Sequence, residues 1–152
     1  MIDIKTYFDI IIESERTSKL FTSLLRRYIR SCELDELCSP LQAVILYLVK
    51  EKGGVKVPQN DIQRELRYIS LNGTYNFSAL TNNGYLLSKG GRDKRCAFLT
   101  LTEKGETFYK DLIDYISKEC KAMKDQVEWD KENAEGYLLG HNILQSFLEK
   151  AD

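Results

Sequence analysis

After Asn83-Gly84 the spacing of the apolar residues changes. Before that point they recur at three and four residues, the repeat of a helix face. Beyond it Ala97, Leu99 and Leu101 alternate with Cys96, Phe98 and Thr100, the repeat of a strand. The segment from Tyr85 to Lys89 precedes this strand and pairs with it as a hairpin whose turn is GGRDKR. Two strands cannot bury a core by themselves, so this hairpin must lean on the helices around it.

Those helices are marked by local signals. From about Asp3 to Arg30, Ile4, Phe8, Ile11 and Ile12 and then Leu20, Leu24, Leu25 and Tyr28 predict one amphipathic helix, about 40 Å long at 1.5 Å per residue. Ser39-Pro40-Leu41-Gln42 is a helix start, with Ser39 as N-cap, Pro40 at the first helical position and Gln42 placed to close a capping box. The helix LQAVILYLVKEK is apolar on most sides and stops at Gly53-Gly54, which makes it the central buried helix. A short third helix, QNDIQREL, follows Pro58 and turns Ile62 and Leu66 inward, leaving Arg64 and Arg67 outward. In SLNGTYNFSALTNNGYLLSK, Gly73, Phe77 and Leu80 share one face, with Asn76 toward it. Asn72, Thr74, Tyr75 and Ser78 lie to the other side, and Asn83-Gly84 ends the helix in a left-handed cap. Thr102 caps a long helix from Glu103 toward Val127, and a last helix carries Tyr137, Leu138, His141, Leu144 and Leu148 on one stripe.

The expected fold is mainly α with a small β-hairpin wing, a winged helix-turn-helix with N- and C-terminal dimerisation helices. Residues 1–36 form the N-terminal dimerising helix, 37–102 the winged helix domain, and 103–152 the C-terminal dimerisation helices. The stripes on the first helix and on the C-terminal helices are too large to leave uncovered on a monomer, which predicts a homodimer.

A net charge of −1 conceals a division along the chain. Residues 64–102 carry six basic and two acidic side chains, whereas residues 103–152 carry seven basic and twelve acidic. An anionic partner is therefore met by the middle of the chain. In a winged helix the helix before the hairpin enters the major groove and the hairpin tip lies against the backbone or minor groove. Arg92, Lys94 and Arg95 sit at that tip, where a narrow minor groove attracts arginine. Asp93 is suited to holding a guanidinium in one geometry rather than to meeting phosphate. A solvated hairpin turn would have a similar composition. The segment from Ser70 to Gly84 carries no charge. Asn72 can bond adenine N6 and N7, Thr74 offers thymine a hydroxyl and a methyl, and Ser70, Tyr75 and Ser78 add hydroxyls for a base edge or phosphate. Backbone affinity then rests on Arg64, Arg67, Lys89, Arg92, Lys94 and Arg95.

Asp93-Lys94-Arg95 followed by Leu101-Thr102-Glu103-Lys104-Gly105 resembles the D-R-R…L-T-x-x-G signature of MarR-type transcription regulators, and LTNNGYL is similar to their junction between recognition helix and wing. The helix order agrees on both sides of these segments. Within the family, LQAVILY and NGTYNFSALTNNGYL look like the branch that includes the regulator of L,D-transpeptidase. Lys94 stands where the middle arginine is usual, and the wing is about one residue shorter than the common form. The resemblance implies a dimeric transcription regulator, a repressor, on a pseudo-palindromic duplex. Arg95 would be the wing arginine, Asp93 its orienter, and Asn72, Thr74 and Tyr75 recognition positions. It also implies a pocket for a small-molecule effector, without naming one.

A second class remains beside this reading: a winged-helix module that works through protein contacts without sequence-specific DNA binding, in keeping with the uncharged helix. No nucleophile elbow, P-loop or dinucleotide fingerprint occurs, so no enzymatic role, catalytic residue or cofactor is expected. Cys32, Cys38, Cys96 and Cys120 lack C-x-x-C spacing and His141 is the one histidine, so no metal site is expected either, and the thiols read as inert and reduced. With no long apolar stretch and no signal-peptide pattern, a cytoplasmic protein without membrane contact is expected.

Overall fold

The computed structural model describes residues 3–32, 39–66, 73–90, 97–126 and 130–150. Their contacts divide the chain into two compact units, one ending at Leu112 and the other beginning at Ile113.

The first unit opens with α1 (Ile4–Ser31). The Asp3 carboxylate caps it by accepting the Thr6 N–H at 2.7 Å, and this bond holds the Asp3 carboxyl below its ordinary range. Only the end of α1 is buried, at Tyr28 and Ile29, while Ile4, Phe8 and Leu20 stand in solvent.

The core forms around α2 (Pro40–Glu51), which touches α1, α3 (Gln59–Glu65), α4 (Gly73–Asn82) and the last strand. Ala43, Ile45, Leu46 and Val49 expose no surface, Ile62, Leu86 and Leu99 are as fully enclosed, and Leu80 is nearly so. Each of the larger side chains contributes roughly 1.5–3 kcal/mol by leaving water.

Ser39 takes the expected N-cap position and Pro40 the first turn, but the capping box does not close. The Ser39 side chain makes no cap bond, and Gln42 turns inward, 1% exposed, donating its amide to Asn76 Oδ1 at 3.4 Å. The position three residues into α2 faces α4, where an amide must find a buried partner, and the cost of an unpaired buried amide exceeds the gain from an exposed cap. Asn76 lies inward as the sequence implied. Asn76→Ala should therefore destabilise the domain by about 1–3 kcal/mol, read as a lower urea midpoint at unchanged slope. An unmoved midpoint would show that the buried amide pair carries no weight.

The end of α2 is closed by two bonds, Gly53 N–H to the Lys50 carbonyl and Gly54 N–H to the Val49 carbonyl, both 2.9 Å. The chain then makes a strand that the sequence did not announce. β1 (Val57–Pro58) pairs antiparallel with β3 (Ala97–Leu101), Val57 opposite Leu99 and Pro58 opposite Phe98. With β2 (Leu86–Gly90) on the other side, the order is β1-β3-β2, so the expected two-stranded wing is a three-stranded sheet. Two residues have no readable period, and proline argues against a strand except at an edge, which is where Pro58 lies.

α4 ends as its sequence requires. Gly84 N–H bonds the Thr81 carbonyl at 3.1 Å and Tyr85 N–H the Leu80 carbonyl at 2.9 Å, with Gly84 at φ 77, a conformation that glycine adopts without penalty. From there β2 pairs with β3 over five positions, Leu86 opposite Leu101 through Gly90 opposite Ala97.

Thr102 joins the sheet to α5 (Glu103–Gln126). Its hydroxyl donates to the Gly84 carbonyl at 2.6 Å and accepts the Gly105 N–H at 3.1 Å, capping the helix and gripping the α4 turn with one oxygen. Gly105 lies so close to the Tyr85 carbonyl oxygen that a Cβ would collide with it. Lys50 on α2 meets both Glu106 carboxylate oxygens, at 2.7 and 2.9 Å, with each side chain about one-third exposed.

In the second unit α6 (Lys131–Leu148) starts behind Asp130, whose carboxylate accepts the Asn133 N–H at 2.9 Å. Tyr137 and His141 set their rings 4.4 Å apart on this helix, and Leu138, Leu139 and Ile143 are exposed.

Candidate nucleic-acid interface

α4 sorts its residues into two faces. Asn76, Phe77 and Leu80 are buried, which turns Thr74, Tyr75 and Ser78 outward. Tyr75 is 66% exposed, a high value for an aromatic side chain that the core could have taken. Asn82 completes the row, four residues beyond Ser78 and eight beyond Thr74, and it is exposed too. The sequence reading missed it because Thr-Asn-Asn-Gly reads as a terminating signal, yet Asn82 is the last residue inside the helix. The helical repeat past Ser78 was the signal that could have found it.

Arg64 projects from α3 with its side chain 73% exposed, 3.7 Å from Asp61 one turn earlier. A pair this open is worth little and leaves the guanidinium available to another anion. Lys89 is exposed on β2 opposite Phe98. Alternation along the strand puts Lys89 with Leu87 on the outer face of the sheet, whereas Leu86 and Ser88 belong to the inner face. Lys89 therefore lies on the opposite sheet face from Ser88. Arg67, Ser70, Asn72, Arg92, Asp93, Lys94 and Arg95 lie outside the described residues, as do Cys38 and Cys96.

A separate cleft of about 650 Å³ opens where the end of α1 meets the start of α5, lined by Tyr28, Cys32, Tyr85, Lys104, Phe108 and Asp111 among others. Burial, and then a hydrogen bond with Cys32, push the Tyr28 phenol far above its ordinary range, so it keeps its proton. Its hydroxyl reaches the Phe108 carbonyl at 3.5 Å. Lys104 extends over the Tyr85 ring at 4.4 Å and donates to the Asn83 carbonyl at 3.0 Å. Among the described residues no group of three or more His, Cys, Asp or Glu side chains is placed to hold a metal ion, and no helix is long and apolar enough to cross a membrane. Cys32 is a half-buried and Cys120 an exposed free thiol.

Comparison with known proteins agrees with this geometry. The family model described as the winged helix DNA-binding domain matches residues 39–105. The exopolysaccharide II synthesis transcriptional activator ExpG of Rhizobium meliloti is 29% identical over 101 residues, which cover 66% of this chain and 50% of that protein. The chain thus spans about half the length of that relative. A MarR transcriptional regulator from Methanosarcina mazei superposes with a TM-score of 0.69 at 15% identity, over 93% of this chain and 98% of its own. Reduced AbfR of Staphylococcus epidermidis bound to DNA does so with a TM-score of 0.71 at 18% identity, over 98% and 96%. The exposed row on α4, the three-stranded wing and the matched segment agree with one another: residues 39–105 match the model of the winged helix DNA-binding domain, and the chain shares the fold of MarR-type regulators.

Proposed function

We propose that the chain is a homodimeric transcription regulator that lays α4 in the major groove of double-stranded DNA and its basic wing against the neighbouring minor groove. The exposed, uncharged row of Thr74, Tyr75 and Ser78 carries this reading, since it is a side-chain set that the core has rejected and that suits base edges and the phosphates beside them. Ser70 and Asn72, read from the sequence, are further candidates for base or phosphate contact. Arg64, Arg67, Lys89, Arg92, Lys94 and Arg95 supply phosphate and groove contacts, and Asp93 orients a wing arginine. In this reading the winged helix spans 37–102, and the ends of the chain, 1–36 and 103–152, are the dimerising parts. Ile4, Phe8 and Leu20 on α1 in the first unit, and separately Leu138, Leu139 and Ile143 on α6 in the second, are exposed apolar side chains for a second copy to cover. The dimer is a cytoplasmic repressor that occupies its operator, of the branch that includes the regulator of L,D-transpeptidase, and the cleft beside Tyr28 takes a small-molecule effector.

Selection of genomic DNA fragments with the purified chain tests the central claim. The expected result is enrichment of one motif with two-fold symmetry, because a dimer repeats one half-site about its axis. Enrichment of an asymmetric site would remove the dimeric arrangement. No enrichment at all, with affinity insensitive to salt, would favour a protein-interaction module instead.

A further inference from the structure

A polar cleft of roughly 380 Å³ lies in the winged helix between α3, α4 and the inner face of the sheet. Gln63, Thr74, Ser78, Asn82 and Ser88 line it, together with Phe77, and none of the described residues that line it is ionisable. Thr81 also borders it, but that hydroxyl is committed to the Phe77 carbonyl at 2.9 Å. Among the described residues Gln63, Ser78, Asn82 and Ser88 have no such commitment, and their donors face the cleft.

The place of this cleft decides what can fill it. On the DNA-binding reading above, on which this inference rests, α4 occupies a major groove and the wing the adjacent minor groove. One sugar-phosphate strand separates those two grooves, so that strand has to run through the gap between α4 and the wing. That gap is the cleft. We propose that it seats one backbone phosphodiester of the bound duplex through neutral donors, the hydroxyls of Ser78 and Ser88 and the side-chain amides of Asn82 and Gln63.

A neutral seat has a signature that other contacts lack. A lysine or arginine on a phosphate releases condensed counterions, so its contribution falls as salt rises. A hydroxyl or amide on the same phosphate releases none, and its contribution is flat in salt. Unlike a base contact, it carries no sequence information, so it strengthens operator and random DNA alike. The seat thus fixes the register of α4 without adding cation-driven non-specific affinity, and it sits on the opposite sheet face from Lys89.

The test measures affinity against salt on the selected operator and on a random duplex for Asn82→Ala, Ser88→Ala and Ser88→Lys. Asn82 and Ser88 are both exposed, so neither truncation opens the core. Each alanine variant is expected to weaken both DNAs by a similar factor, roughly fivefold, with the salt slope unchanged. Ser88→Lys is expected to tighten both and steepen the slope by about one. Loss confined to the operator would make these residues base readers and overturn the seat. Alanine variants equal to the parent, or a lysine that leaves the slope unmoved, would also overturn it while the parent's DNA binding stands. A parent chain that binds neither duplex would overturn both this proposal and the reading beneath it.

Discussion

Gly105→Ala is expected to destabilise the winged helix by about 3 kcal/mol or more, against the direction that helix propensity gives. Alanine inside an exposed helix is worth up to about 1 kcal/mol over glycine. Here the added Cβ would fall on the Tyr85 carbonyl oxygen, with Leu101 Cδ2 at 3.0 Å on another side. The backbone at that point has little room to move. The Tyr85 carbonyl accepts the Thr102 N–H at 3.1 Å, and the Tyr85 N–H is held by Leu80 at 2.9 Å in the turn that ends α4. Relief therefore requires breaking the Thr102 cap or the α4 turn, each with buried neighbours, and the cost combines overpacking with a lost hydrogen bond. At this chain length that corresponds to a melting temperature lower by about 10 °C. Thermal and urea unfolding of the two proteins at equal concentration decide the matter, and a variant as stable as the parent would show that the sheet and α5 slide apart at no cost. The same contact gives Leu101-Thr102-Glu103-Lys104-Gly105 a physical meaning. Leu101 fills the core, Thr102 grips the α4 turn, and Gly105 lets the helix pass the strand.

Replacing Lys89, Arg92, Lys94 and Arg95 together by alanine is expected to cost about two to three orders of magnitude in DNA affinity near physiological salt, on operator and random duplex alike. Four phosphate or groove contacts correspond to a salt slope lower in magnitude by about 3.6. The effect is large because the rest of the chain opposes binding: residues 103–152 carry twelve acidic side chains against seven basic. Asp93→Ala separates two accounts of the wing. Removing a negative charge near DNA tightens binding on electrostatic grounds, whereas losing the orienter of a guanidinium weakens it, and the orienting role predicts weakening. Affinity measured across a salt series supplies both answers. A quadruple variant with the parent's slope would mean that the wing is only a turn, and the DNA-binding reading would lose its main source of cationic contact.

Helix and strand boundaries in this chain were legible wherever the signal is local. Ser39-Pro40 opens α2, Gly53-Gly54 closes it, Asn83-Gly84 closes α4 and Thr102 opens α5, each within a few residues of where the sequence pattern puts it. These signals act on backbone groups one turn away, so the residues that carry them stand side by side in the chain. The outward row on α4 was legible through Ser78 for the same reason, since a helical repeat needs only the helix itself.

What the sequence determined by itself was therefore the order of the helices and the hairpin, the central place of α2, the split of α4 into a buried and an exposed face, and the excess of positive charge in residues 64–102. Tertiary structure alone decided the features that depend on residues distant in the chain. Gln42 abandons its local cap because Asn76, 34 positions on, offers a buried partner. Val57-Pro58 becomes a strand only because Leu99 and Phe98 lie opposite it. Gly105 is demanded by the carbonyl of Tyr85, and Asn82 joins a polar cleft because Ser88 and Gln63 arrive beside it from other elements. In each case the free energy belongs to a contact between elements, and no pattern confined to one element carries the identity of its partner.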